Sequence, residues 1–222
     1  RRLNMSRFLS RKWGLRLNND ESEKNRSDEH ELPPIVEFKD DSNIEVINNS
    51  LYFYSEIERK DVLRLNKELH TKEDELLSMQ RKYRLPEPAP IYLHIQSYGG
   101  LAHAGLSALD TIKNLQVPVH TIIDGVAASA ATFMSIAGTK RYMQKHSYVL
   151  IHQISTSFWG TYEQFQDEKK NLDKLMQLLS DIYLTHTKIP EKKLKEILKH
   201  DLFFNAEEAL EFGIVDEILQ EK

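Results

Sequence analysis

Three residue types that together make a hydrolase stand far apart along the chain: Ser129, His152 and Asp201. Ser129 lies in Asp124-Gly125-Val126-Ala127-Ala128-Ser129-Ala130-Ala131, among residues with almost no side chain, so another backbone can approach its hydroxyl closely. A serine attacks a carbonyl when a neighbouring base takes its proton, and an acid on the far side of a histidine base orients the ring. His152 follows the apolar run Tyr148-Val149-Leu150-Ile151, and Asp201 precedes Leu202-Phe203-Phe204, an apolar turn that could hold it in place. The Gly99-Gly100 pair, closing another strand-like run, could present a backbone N–H to the oxyanion that such an attack creates. Each residue alone has a plainer reading. Ser129 fills a tight spot in a small-residue helix packed on a sheet, His152 is one of nine histidines with no metal spacing, and Asp201 ends a helix.

These residues need elements to carry them. Val119 to Ile123 reads as a buried strand, and Thr132 to Gly138 as a buried helix stopped by glycine, which sets Ser129 in the first turns of that helix. Upstream, Leu51-Tyr52-Phe53-Tyr54 and Ile91 to Ile95 read as strands, and Ile35-Val36-Glu37-Phe38 as a weaker one. Arg59 to about Tyr83 is a helix with Val62, Leu65, Leu69, Leu76 and Leu77 sharing a face, and Pro86, Pro88 and Pro90 stiffen the connection that follows. Leu101, Ala104, Ala108, Ile112 and Leu115 recur at helical spacing. Strands alternating with helices in this way predict parallel βαβ crossovers, an α/β fold.

Downstream of His152, a long helix after Gly160 carries the stripe Leu172, Leu175, Met176, Leu179, Ile182 and Tyr183. That stripe is longer than one domain needs, which points to a contact between subunits; a core-facing helix is the alternative. Glu191 to His200 is a second amphipathic segment, Asn205 with Glu208 has the spacing of a helix cap, and Ile214 to Ile218 reads as the last strand.

Composition bounds the rest. A chain of 222 residues supports one sizeable domain, and a net charge of −4 gives no general attraction to nucleic acid. The absence of cysteine removes disulfide and thiolate chemistry, and no apolar run is long enough for a membrane helix. Residues 1 to 17 are rich in Arg and free of acids, which fits a flexible basic tail or an organelle-targeting segment. Residues 18 to 32 are polar and charged, as disordered segments are. The organisation expected is therefore a tail over residues 1–32 and a single domain over 33–222.

In order, Gln96-Ser97-Tyr98-Gly99-Gly100, Gly125-Val126-Ala127-Ala128-Ser129, Ile151-His152-Gln153 and Asp201-Leu202-Phe203-Phe204-Asn205-Ala206-Glu207-Glu208-Ala209 resemble the ClpP family, the proteolytic subunits of ATP-dependent Clp proteases. Gly213-Ile214-Val215-Asp216 resembles its ending. The resemblance implies the ClpP/crotonase-like fold, a superhelix of repeated β-β-α units with a protruding helical handle. It implies that Ser129 is the nucleophile, His152 the base and Asp201 the orienting acid of a serine endopeptidase, with the N–H groups of Gly100 and Ala130 as the oxyanion hole. It also implies a homo-oligomer of two stacked heptameric rings, whose chamber receives unfolded polypeptides from an AAA+ unfoldase of the ClpX, ClpA or ClpC type. The subunit needs no cofactor or metal: ATP is used by the partner ATPase, and this chain has no Gly-x-x-x-x-Gly-Lys-[Ser/Thr] phosphate loop. The setting implied is cytoplasmic, or an organelle matrix or stroma if residues 1–32 include a targeting segment. A structural subunit of a mixed Clp ring and a crotonase-like acyl-CoA enzyme are the alternatives, and an intact serine, histidine and aspartate argue against both.

Three departures from the family pattern stand out. Tyr98 replaces the usual proline before the two glycines, and Ala130 replaces the usual methionine after the serine. Ile154 to Gly160, with Trp159, occupies the place of a glycine-rich strand that in relatives pairs with peptide and contributes to contact between rings.

Overall fold

The computed structural model describes residues 44–220; the tail read over residues 1–32 and the short strand expected at Ile35 to Phe38 lie outside them. The described residues open with a hairpin, β1 (Ile44–Ile47) and β2 (Ser50–Phe53), turned at Asn48, whose φ of 56° is the left-handed conformation asparagine tolerates. Helix α1 (Arg59–Tyr83) leads to β3 (Ile91–Ser97), α2 (Ala102–Asn114) to β4 (Val119–Ala128), and α3 (Ala131–Ala137) to β5 (Lys140–Gln144). Strand β6 (Tyr148–Leu150) precedes the long helix α4 (Tyr162–His186) and α5 (Glu191–Ile197). The chain closes with β7 (Phe203–Phe204), α6 (Ala206–Glu211) and β8 (Glu217–Leu219).

Strands β2, β3 and β4 pair in parallel, with α1 and α2 as the crossovers, so the expected α/β alternation is present. Strand β4 organises the sheet because it serves two neighbours in succession. His120 to Ile123 pair with β5, and Val126 to Ala128 pair with β6. Between them sits Gly125 at φ 79°, a conformation costly for any residue with a Cβ, and its N–H is held by Ser147 Oγ at 2.7 Å. The sheet therefore forks, and the fork separates the β5–β8 edge from the β6–β7 edge.

The core explains the sequence periodicities. Val62, Leu65, Leu69 and Leu76 of α1 are buried, each contributing about 1.5–3 kcal/mol of transfer free energy. Ile91, Leu93 and Ile95 point inward from β3, while every residue of α3 is buried. Helix α4 starts in a capping box between Thr161 and Gln164, is largely exposed over its first half and buries only Leu179 and Tyr183, the arrangement of a handle. Its apolar stripe packs on this chain's own core: Leu179 is buried, and Leu175, Met176 and Ile182 lean against the same cluster. The stripe from Leu175 to Tyr183 is thus accounted for within one chain, while Leu172 lies outside that cluster. No helix among the described residues is long and apolar enough to cross a membrane.

Three sequence expectations change. β4 runs through Ala128, so Ser129 is not in the first turns of a helix; it forms the turn between strand and helix. Residues 154–160 form no strand within the chain, and Trp159 is fully exposed. The last strand begins at Glu217, because Ile214 and Val215 are buried in the turn before it.

Candidate active site

Ser129 adopts φ 55°, one of three non-glycine residues in the left-handed region among those described. That conformation costs about 1–2 kcal/mol for an L-residue, and it persists only where neighbouring contacts enforce it. The enforcement is visible on both sides of the residue. The Ser129 N–H donates to the Leu150 carbonyl at 2.8 Å, and the Ser129 carbonyl accepts from the Thr132 N–H at 3.0 Å and from Thr132 Oγ1 at 2.6 Å. The serine is thus presented on a sharp elbow at the carboxyl end of β4.

The strand on one side of β4 supplies a glycine turn. Ser97 of β3 pairs with Ala127, and Gly99 and Gly100 follow with φ values of 100° and 148°. A Cβ on Gly99 would lie 2.6 Å from the Ala128 carbonyl oxygen and 2.7 Å from Ser129 Cβ, so only glycine allows this turn to touch the elbow. The turn is tied down by the Ile57 N–H donating to the Gly99 carbonyl and the Leu101 N–H donating to the Ile57 carbonyl, both at 2.8 Å. Among the described residues, the N–H groups of Gly100 and Ala130 donate to no carbonyl, which leaves both available to an anion. Tyr98, next to this turn, is exposed and borders a surface cavity with Tyr54, Asp61 and Gln96.

The strand on the other side supplies the histidine. Ala128 pairs with Leu150, and His152 follows two residues later, at the carboxyl end of β6. Leu150 pairs in turn with Phe203 of the antiparallel β7, and the same register carried outward sets His152 opposite Asp201. His152 Nδ1 lies 3.3 Å from Asp201 Oδ1; the histidine side chain is 20% exposed and the aspartate 56%. The Gln153 N–H donates to the Leu198 carbonyl at 3.0 Å, which fastens the histidine loop to the end of α5 just before Asp201. No hydrogen bond joins Ser129 Oγ to His152 among the described residues, a looseness common before substrate draws such groups together. All five residues singled out in the sequence, Gly100, Ser129, Ala130, His152 and Asp201, therefore sit at neighbouring strand ends.

Two groups near the site were not singled out as functional. Thr132 and Tyr183 are buried behind the elbow, with their hydroxyl oxygens 2.6 Å apart. Tyr183 looks in the sequence like one more member of an apolar stripe, and Thr132 like a small helix residue; neither periodicity nor motif marks them. Asp124, by contrast, belongs to a separate polar cluster. Burial alone would raise its carboxyl pKa, but His94 Nδ1 at 2.7 Å, the Tyr54 hydroxyl at 2.9 Å and Gln144 hold it below the ordinary range. The same contact, added to burial, pushes Tyr54 up to about 12. His94 thus works as a structural partner of Asp124.

The fold and these strand ends define an α/β protein of the crotonase-like kind with a serine elbow, and residues 48–222 match the Clp protease family. The chain belongs to that family. It is 35% identical over 133 residues to the ATP-dependent Clp protease proteolytic subunit of Deinococcus radiodurans, a match covering 59% of this chain and 65% of that relative, so just under two thirds of the relative's length is spanned. A solved structure of a ClpP1 mutant from Listeria monocytogenes superposes with a TM-score of 0.67 at 22% identity, over 79% of this chain and 93% of that one, a likeness of fold.

Proposed function

We propose that the chain is a serine endopeptidase subunit of a Clp-type protease, with Ser129 as nucleophile. The observation that carries this reading is the strained Ser129 elbow held between the Gly99-Gly100 turn and the His152–Asp201 pair. With Nδ1 turned to Asp201, His152 keeps Nε2 for the serine. Nε2 takes the Ser129 proton as Oγ bonds to the scissile carbonyl carbon. The carbonyl oxygen becomes an oxyanion and accepts from the Gly100 and Ala130 N–H groups. The imidazolium then protonates the leaving amine, the C–N bond breaks, and an acyl-serine remains. Water, deprotonated by His152, attacks the ester; collapse returns the proton to Ser129 and releases the new carboxylate.

The family points further, to a homo-oligomer of two stacked rings of seven that encloses the sites, in a cytoplasmic or organelle-matrix setting. Unfolded polypeptide would be delivered by an AAA+ ATPase, which alone uses ATP. Relatives' peptide-pairing strand would correspond to residues 154–160; the Ile154 N–H donates to Met176 Sδ, and the backbone of residues 155–160 has no partner among the described residues, which leaves it free to receive an extended peptide. Neither a purely structural ring subunit nor an acyl-CoA enzyme gives a reason for a serine, histidine and aspartate at adjoining strand ends.

The test uses purified full-length protein. It should hydrolyse a short fluorogenic peptide, leave a tightly folded protein intact, and degrade that protein once the cognate ATPase and ATP are added. Degradation of the folded protein without an ATPase would overturn the gated-chamber part of the reading. Peptide hydrolysis that survives Ser129→Ala would overturn the assignment of the nucleophile.

A further inference from the structure

Three oxygens stand in a row behind the elbow: the Tyr183 hydroxyl, Thr132 Oγ1 and the Ser129 carbonyl, each 2.6 Å from the next. Their protons can be placed by counting. The carbonyl carries none, so Thr132 donates to it. Thr132 has a single hydroxyl proton, so the short contact with Tyr183 must be donated by Tyr183. Burial pushes the Tyr183 phenol above its ordinary pKa, so it keeps that proton at any physiological pH. Both side chains are buried, Tyr183 to 2% and Thr132 to 0% exposure, so a different orientation would leave a buried donor or acceptor unmatched. A chain of hydrogen bonds polarised in one direction is also stronger than its members taken singly.

The carbonyl at the end of this row belongs to the peptide unit whose other face is the Ala130 N–H. A trans peptide is planar, with its C=O and N–H pointing opposite ways, so fixing one fixes the other. Thr132 pulls the Ser129 carbonyl inward, which turns the Ala130 N–H outward, where no carbonyl takes it. Loss of the Thr132 hydroxyl would leave the Ser129 carbonyl on the Thr132 N–H alone, a looser hold on a residue whose φ of 55° is strained.

We propose that Tyr183, on the handle helix α4, is a positioning residue for the reaction. It acts through Thr132 on the Ser129–Ala130 peptide and so sets the aim of an oxyanion donor. This inference rests on Ser129 being the nucleophile. It also assigns α4 a role at the site that its apolar stripe does not suggest, since Tyr183 and Ser129 lie on elements remote in sequence.

An oxyanion donor strengthens its bond in the transition state, so misaiming it lowers kcat and leaves KM nearly alone. The experiment measures kcat and KM on a short peptide for the full chain and five variants, with particle size checked by light scattering. Thr132→Val, which keeps the shape and drops the hydroxyl, should lower kcat by about 10-fold or more, and Thr132→Ser should recover most of it. Tyr183→Phe should lower kcat by about 3- to 10-fold, the worth of one hydrogen bond. The double variant Thr132→Val with Tyr183→Phe should be no slower than Thr132→Val, and should melt no lower, because it removes the hydroxyl that Thr132→Val strands. Independent, multiplying losses would overturn the relay, as would a rise in KM at constant kcat. If Thr132→Val does not fold, Tyr183→Phe decides alone: a lower kcat at fixed KM supports the proposal and an unchanged kcat overturns it. Ser129→Ala separates the two readings. If it is inert while the Tyr183 and Thr132 losses multiply, only the relay fails; if it retains turnover, the nucleophile assignment fails and the relay with it.

Discussion

Leu150 lies opposite Phe203 in the antiparallel pair of β6 and β7, and this register, extended two residues, brings His152 and Asp201 face to face 3.3 Å apart. The short β6–β7 pair therefore leads both segments toward the meeting point, and the Gln153–Leu198 hydrogen bond holds the loop that carries His152. Leu150 also accepts the Ser129 N–H on its other side, so one short strand indexes all three residues.

His152 and Asp201 should accordingly behave as a unit. His152→Ala is expected to lower kcat by on the order of 10⁴- to 10⁶-fold, and Asp201→Ala by less, because Asp201 is 56% exposed and its hold on the ring is screened by solvent. The double variant should be no worse than His152→Ala. Steady-state kinetics on a short peptide checks this, and losses that multiply would place one of the two outside the machinery.

Gly99→Ala is expected to be severe despite the small change. The new Cβ would meet backbone and Ser129 Cβ below 3 Å, at a φ of 100° that alanine resists. The elbow or the turn must move, with a stability loss of about 1–3 kcal/mol. Activity should fall by about 100-fold or more, since a displacement near 1 Å is enough for that. Melting curves and peptide assays measure the two effects. Near wild-type activity in Gly99→Ala would contradict the close packing of turn and elbow.

Much of the architecture was legible in the sequence where one side of an element is fully buried. Helix α1 matched its expected span, and Asn205 and Glu208 form the expected capping box. β1 and β5 carry no sequence signature because each buries a single residue, Ile44 or Met143, and a strand wet on most of its surface has no apolar alternation. Ser129 reads from sequence as part of the helix because small residues do not mark where a strand stops; the positive φ that ends β4 is imposed by tertiary contacts. The meeting of His152 and Asp201 was open to family resemblance but not to local pattern, since a register between β6 and β7 leaves no trace in either segment. Tyr183 was hidden because its ring satisfies the apolar stripe while its hydroxyl does something else.

Asp216 gives a pH test of the fold. Its carboxylate accepts from the Arg141 guanidinium and from the Arg141 backbone N–H at 2.9 Å, tying β5 to the chain's last strand, while Arg141 also reaches the Gly213 carbonyl. The hydrogen bonds from Arg141 hold the Asp216 pKa below the ordinary carboxylate value. A pKa lowered on folding stabilises the protein above the unfolded value, near 4, and that stability is lost as pH falls through the native value. Asp216→Asn should therefore lower the melting temperature at pH 7, by the equivalent of about 1 kcal/mol at most given solvent screening. The gap to wild type should close as pH drops below about 4. A gap that widens on acidification would contradict the sign.

The central claim is that Ser129 is an activated nucleophile, and a fluorophosphonate probe tests it without any need for the ATPase or a natural substrate. Incubated with the purified full-length chain, the probe should add one label per subunit, map by peptide mass to Ser129, and fail to label Ser129→Ala. His152→Ala should label at least about 100-fold more slowly, as expected for loss of the general base. Labelling absent from the wild type, or placed on another serine and undiminished by Ser129→Ala, would contradict the account.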